Sequence, residues 1–168
     1  MTSYKMEDLQ ILHGLEPIRR RPAMYLDGWE TPNGEVLAAR LIHDLVWLRA
    51  LPAEVKEIDG WWLIRSAVDW LASGNPSHTI DTAFSRIVPW PELRPNSMHG
   101  EVLLAVFADA VVTSGTDGIK WINGTPDAFP LPPGIDLSGP GRVVAFTLAR
   151  DASAQSIRSP DLRPGLTT

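Results

Sequence analysis

The side chains most able to do chemistry are four histidines, at positions 13, 43, 78 and 99, and an arginine triplet, Arg19-Arg20-Arg21. No two histidines stand at metal-ligand spacing, and neither a His-x-x-x-His nor an Asp-x-Asp pattern occurs, so no metal is expected. His43 and Asp44 are adjacent within a helical pattern. Successive helical side chains point about 100° apart, so the two read as separate solvated residues rather than as a catalytic dyad. The Gly-x-Ser-x-Gly elbow of serine hydrolases and the phosphate-cradling P-loop are both absent. The arginine triplet has the chemistry to meet phosphate or an acidic partner, but reads first as a solvated helix end. Seven tryptophans read as core and hairpin packing before base-stacking platforms.

Composition bounds what those residues can serve. A chain of 168 residues, 44% hydrophobic, is enough for one ordinary domain with its own core. Fifteen Lys and Arg against twenty Asp and Glu give a formal charge of −5, which argues against direct nucleic-acid binding and an anionic-membrane footprint. With no cysteine, disulfides, thiol catalysis and thiolate metal sites are excluded. Met1 to Leu12 is polar and charged, and no apolar run approaches the roughly 18 residues a membrane span needs. The expected location is cytoplasmic.

The elements that must position these residues follow from periodicity. Val36, Leu37, Leu41, Ile42, Leu45, Val46 and Leu48 recur at three- and four-residue spacing, which predicts a helix from Gly34 to about Ala50, ended by Pro52. Asp59-Gly60 between Val55–Ile58 and Trp61–Arg65 predicts a hairpin. Thr79–Ile87 and His99–Ala110 read as helices, the second burying Val102, Leu103, Val106 and Phe107. A second hairpin joins Val111–Thr113 to Ile119–Ile122 through Thr116-Asp117-Gly118. Residues 126–140 form a proline-rich excursion, and Arg142–Leu148 closes with a strand. The sum is an α+β two-layer sandwich, a mainly antiparallel sheet with helices on one face. Residues 1–14 read as an arm, 15–150 as the domain, and 151–168 as a disordered tail rich in Ser, Arg, Pro and Gly.

One stretch carries a family likeness. Ile11-Leu12-His13-Gly14-Leu15-Glu16-Pro17-Ile18-Arg19-Arg20-Arg21-Pro22-Ala23-Met24-Tyr25-Leu26-Asp27-Gly28 resembles the opening of the ATPase domain of the DNA gyrase B subunit and its topoisomerase IV relative. The family pattern there is Leu-x-Gly-Leu-x-x-Val-Arg-x-Arg-Pro-x-Met-Tyr-Ile-Gly. The likeness continues more weakly through the Gly34-led helix, Lys56-Glu57-Ile58, Met98-His99-Gly100 and the strand Gly141 to Phe146. It spans about residues 3–150 and implies a Bergerat-type fold that binds ATP between sheet-backed helices and a mobile lid.

The family's chemistry is not implied with it. In the family this helix carries a water-activating Glu and, four residues on, a magnesium-binding Asn; an ungapped register from Gly34 puts Leu41 and Leu45 there. A leucine neither relays a proton nor ligates a hard cation, and loss of a general base alone removes about 10² to 10⁴ in rate. The adenine-reading Asp of the family falls near Ser66 or Ala67. Its phosphate-holding glycine element is reduced to Asn96-Ser97-Met98-His99-Gly100-Glu101-Val102, where Glu101 adds negative charge at the place of the phosphates. The lid between Thr79 and Met98 is shortened and stiffened by prolines, and Arg142 stands where the family has an adenine-contacting Thr. Ser3-Tyr4 stands where the family's arm crosses to a partner subunit, so Tyr4 marks either an exchanged arm or a frayed terminus.

Three readings follow. The first is a non-catalytic gyrase-B-like domain without cofactor that binds a protein partner or itself, linked to type II topoisomerases or to another protein. The second is a divergent domain that binds or hydrolyses ATP with magnesium, its acid supplied by Asp44 or Glu35. The third is a remodelled pocket for a more apolar small molecule, bounded by the helix of Leu41 and the strand of Arg142.

Overall fold

The computed structural model describes residues 12–72, 79–87 and 98–148. Within them the chain runs α1 (Glu16–Arg20), α2 (Pro22–Tyr25), α3 (Gly34–Trp47), β1 (Ala53–Ile58), β2 (Trp61–Ser66), α4 (Ile80–Ser85), α5 (Glu101–Phe107), β3 (Ala110–Gly115), β4 (Gly118–Asn123) and β5 (Arg142–Thr147). The strands form one sheet in the order β1-β2-β5-β3-β4. Every pairing is antiparallel. The expected α+β class is the observed one.

The last strand in sequence lies at the centre of the sheet because it is the most apolar. Arg142 to Phe146 are buried without a break, and Val144 is registered against Ile64 on one side and Thr113 on the other. A central strand covered on both faces reads as a continuous apolar run rather than an alternation. At the β1–β2 hairpin, Asp59 and Gly60 both take positive φ, 50° and 84°. A two-residue turn that matches the twist of its strands requires this.

Strand alternation divides the sheet residues between two faces. On one face Ile64, Val111, Val144 and Phe146 join the buried residues of the helices, among them Ile18, Leu37, Leu41, Leu45, Phe84 and Val102–Leu104. On the other, Trp61, Ala110, Val112 and Ala145 are covered by Trp121, Phe129, Leu131, Ile135 and Leu137. The proline-rich excursion is therefore a cover for the second face. Arg65 Nη2 donates to the Asp136 carbonyl and fixes it there, and Trp61 meets Trp121 edge to face at 6.2 Å.

The helices are shorter than their periodicity suggests, and each end has a local cause. Asn33 Oδ1 accepts from the Val36 amide at 2.9 Å and starts α3. Arg49 at φ 54° turns the chain out of it before Pro52. α5 stops at Phe107 because Ala110 is drawn into β3, opposite Thr147. Asn123 Nδ2 then donates to the carbonyls of Ala105 and Ala108, at 2.9 and 3.1 Å, taking up groups that a helix end leaves open. α1 and α2 were not expected from periodicity. Each carries a proline in its first turn, a position where the missing N–H costs nothing. Arg19 and Arg20 end α1 exposed to solvent, and Arg20 pairs with Glu16 at 2.6 Å.

Candidate functional site

Of the α3 positions singled out by sequence, Leu41 and Leu45 face the core. Leu41 and Leu45 are fully buried in the same hydrocarbon cluster as Ile64, Leu103, Val144 and Phe146. Their spacing of one helical turn puts them on the stripe that includes Leu37 and Ala38. Each such burial contributes about 1.5–3 kcal/mol. The surface these side chains present is hydrocarbon, with no group to ligate a cation or move a proton.

Asp44 corrects the sequence reading. Expected as a solvated helix residue, it is only 2% exposed. Its Oδ2 accepts from the Gly100 amide at 3.0 Å, and its Oδ1 lies 3.6 Å from Arg40 Nε. Arg40 in turn donates through Nη2 to the Met98 carbonyl at 3.4 Å. The carboxylate thus ties α3 to the start of α5. Gly100 admits it closely, since a Cβ there would lie 2.7 Å from Asp44 Oδ2. His43, by contrast, is exposed and accepts at Nε2 from Trp47 Nε1, 3.2 Å away. Its Nδ1 is 3.8 Å from Asp44 Oδ1, too far for a hydrogen bond.

Glu101 is corrected as well. It does not project toward a ligand; it is fully buried, and its Oε1 accepts from Trp70 Nε1 at 2.7 Å. Its Oε2 lies 3.5 Å from Nδ1 of the buried His99. The pull is geometric: the first turn of α5 faces inward, with Val102, Leu103 and Leu104 buried beside Glu101, so its carboxylate must find partners in the interior.

A second polar group lies at the end of the sheet. Ser66 and Arg142 are register partners on β2 and β5. Ser66 Oγ donates to the Ala50 carbonyl at 2.7 Å and accepts from the Val68 amide at 3.1 Å. Arg142 has no exposed surface. Its Nε and Nη2 each reach Asp69, at 2.8 Å to Oδ1 and Oδ2. Nη2 also meets Asp117 Oδ1 at 2.8 Å, and Nη1 reaches Thr113 Oγ1 at 3.3 Å. Gly115 is required here, because a Cβ would overlap the guanidinium. Burial pushes the Asp69 carboxyl up, but the hydrogen bonds and charge of Arg142, with the amides of Leu71 and Ala72, outweigh it and hold Asp69 below the usual carboxylate range. Burial likewise opposes the charge on Arg142, and Asp69 followed by Asp117 more than restores it, raising its pKa.

Comparison with known proteins gives no family. No family model matches the chain, and no curated protein matches it. The arrangement therefore has to be judged on its own geometry.

The structure gathers the sequence-selected positions into two groups. Leu41, Asp44 and Gly100 meet where α3 abuts α5, since a Cβ on Gly100 would touch both of the others; Ser66 and Arg142 meet at the sheet end. Tyr4, His78, residues 88–97 of the expected lid and the expected tail from 151 lie outside the described residues. Among the described residues, no three of His, Asp and Glu stand where they could share a metal ion, and no helix is long and apolar enough to cross a membrane. Sequence reasoning missed Asp69, Asp117, Trp70 and the burial of Glu101. Asp69 and Arg142 are 73 positions apart, and only the pairing of β2 with β5 joins them.

Proposed function

We propose that this chain is a non-catalytic domain on a gyrase-B-type, Bergerat-like ATPase scaffold, serving as a protein-binding or self-association module. The observation that carries the reading is the complete burial of Leu41 and Leu45 in the hydrocarbon core. These are the positions where the resemblance places the water-activating Glu and the magnesium-binding Asn. The adenine-reading positions point the same way: Ser66 is bound to Ala50, and Arg142 is held by Asp69. Both use their polar atoms within the chain. Magnesium ATP does not fit residues of this kind: Leu41 and Leu45 offer neither an oxygen ligand nor a base, and the carboxylate of Asp44 on the same face is held by the Gly100 amide and Arg40.

The reading in which Asp44 or Glu35 supplies the acid has less support. Asp44 is engaged with Gly100 and Arg40, and Glu35 lines a groove on the far side of α3 from Leu41. A remodelled apolar pocket between Leu41 and Arg142 is disfavoured by the same packed hydrocarbon.

A module needs a surface, and the passage from α3 to β1 offers one. Val46, Trp47, Leu51 and Val55 are each 42–51% exposed within ten residues of sequence. Among the described residues β1 is an edge strand, and a strand edge is a common docking element.

Two measurements test the proposal. Purified protein should hydrolyse ATP with magnesium no faster than a heat-killed control, and calorimetry with a non-hydrolysable analogue should show millimolar or no binding. Light scattering at rising concentration should reveal a species of twice the chain mass of 18.5 kDa, lost on substituting Trp47→Glu and Val55→Lys. Hydrolysis above the control, or tight analogue binding, overturns the non-catalytic reading.

A further inference from the structure

α3 has a second face, and it borders an open groove. Residues 37, 38, 41, 44 and 45 turn to the core, while 35, 36, 39, 40 and 43 line a cavity of about 410 Å³ closed on its other side by the loop after α2. That size falls within the roughly 300–1,000 Å³ typical of small-molecule sites. Its walls are mainly apolar: Leu26, Val36 and Ala39 form them, and the indole of Trp29 stands at the groove with 56% of its surface exposed. The face of an indole attracts cations.

The charges decide what could enter. Arg40 lines the groove, but its guanidinium is turned to Asp44 and the Met98 carbonyl, so its charge is already balanced by a buried carboxylate. His43 is engaged at Nε2 by Trp47 Nε1. The two remaining charged groups, Asp27 and Glu35, are both acids. Among the described residues neither is held in an ion pair, and neither has an interaction beyond those given above. The positive end of α3 offsets roughly half an elementary charge, less than one of the two carboxylates. The groove is therefore an apolar slot with an exposed indole and a net negative rim.

The geometry points to a small organic ammonium ligand, a cation on a hydrocarbon or aromatic body, held with its body against Leu26, Val36 and Ala39 and its charge near Trp29, Asp27 and Glu35. The inference stands apart from the proposed function, because this groove lies on the opposite face of α3 from Leu41 and Leu45.

Two probes with one ring and opposite charge test it: 1-naphthylmethylammonium and 1-naphthoate, titrated into the full chain. Binding is read by calorimetry and by the Trp29 indole N–H signal, assigned with Trp29→Phe. The ammonium should bind saturably at about 1 mM or tighter, moving the Trp29 signal, with the carboxylate at least tenfold weaker. Ala39→Trp, at an exposed helix position, fills the slot and should abolish binding. The pair Asp27→Asn and Glu35→Gln should weaken it about tenfold or more; Asn suits the positive φ of Asp27. The remaining indole signals report that each variant is folded. Equal affinity for the two probes, non-saturable uptake, or binding that survives Ala39→Trp overturns the assignment.

Discussion

Arg142 and Asp69 form a two-pronged pair, Nε to Oδ1 and Nη2 to Oδ2, both at 2.8 Å, with the guanidinium wholly out of solvent. A fork-to-fork contact of this kind is among the stronger charge-assisted arrangements. Asp117 and Thr113 meet the same guanidinium from β3 and its hairpin, so one side chain joins β5, the β2 exit and the β3–β4 turn. Removing one partner leaves a buried charge without its match. Arg142→Met and Asp69→Asn should each lower unfolding free energy by about 3–5 kcal/mol, measured by urea denaturation; a loss below about 1 kcal/mol in both would show the pair to be dispensable.

The same pair makes stability depend on acid in a defined direction. Asp69 is held below its ordinary value, so the folded chain binds this proton less readily than the unfolded one. Its contribution is complete above the unfolded value of about 3.9, and is lost as pH falls through the folded value. The difference in unfolding free energy between the natural chain and Asp69→Asn should hold steady from neutrality to about pH 5 and shrink below about pH 4. A difference that instead grew on acidification would contradict this origin.

Gly115 and Arg142 compete for one volume. A Cβ at 115 would overlap the guanidinium, so Gly115→Ala should cost about 1–3 kcal/mol by overpacking. In an Arg142→Ala background the obstruction is gone, and most of that cost should vanish. Additive losses in the double variant would exclude the steric coupling.

Leu41 and Leu45 are core residues first. Leu41→Ala and Leu45→Ala should each cost about 2–5 kcal/mol, read as a lowered denaturation midpoint. Placing polar residues there, Leu41→Glu with Leu45→Asn, as the proposed ATPase scaffold would have them, should destabilise the chain without creating ATP hydrolysis. A stable double variant that turned over ATP would contradict the reading of Leu41 and Leu45 as core residues.

Asp44 should behave as a tether between helices. Asp44→Ala removes the acceptor for the buried Gly100 amide, at an expected cost of about 1–3 kcal/mol. Hydrogen exchange at Gly100 should accelerate selectively; unchanged protection there would mean that another group holds the turn.

Much of the secondary structure was legible in sequence because it rests on local signals. The Asp59-Gly60 turn, the apolar stripe of α3 and the run of small and β-branched residues in β5 each appear at the predicted place. Element ends were less legible, because Asn123 capping α5 and Ala110 joining β3 are set by contacts across the fold. For the site, sequence established that the α3 positions are hydrocarbon, since no Glu or Asn lies between Val36 and Leu51. It misjudged Asp44, whose charge suggested solvent but whose helix face turns inward, and it read Glu101 as a charge at a phosphate position without foreseeing its burial against Trp70.

By itself the sequence determined composition, helical and strand periods, turn chemistry and the absence of Glu and Asn between Val36 and Leu51. Only the tertiary structure decided that Arg142 meets Asp69, that Asp44 crosses to Gly100, that residues 126–140 cover the second face of the sheet, and that Trp29 overlooks a groove. The reason is physical: local conformation depends on residues a few positions apart, whereas these contacts join segments brought together by strand order and burial, which no short window of sequence contains.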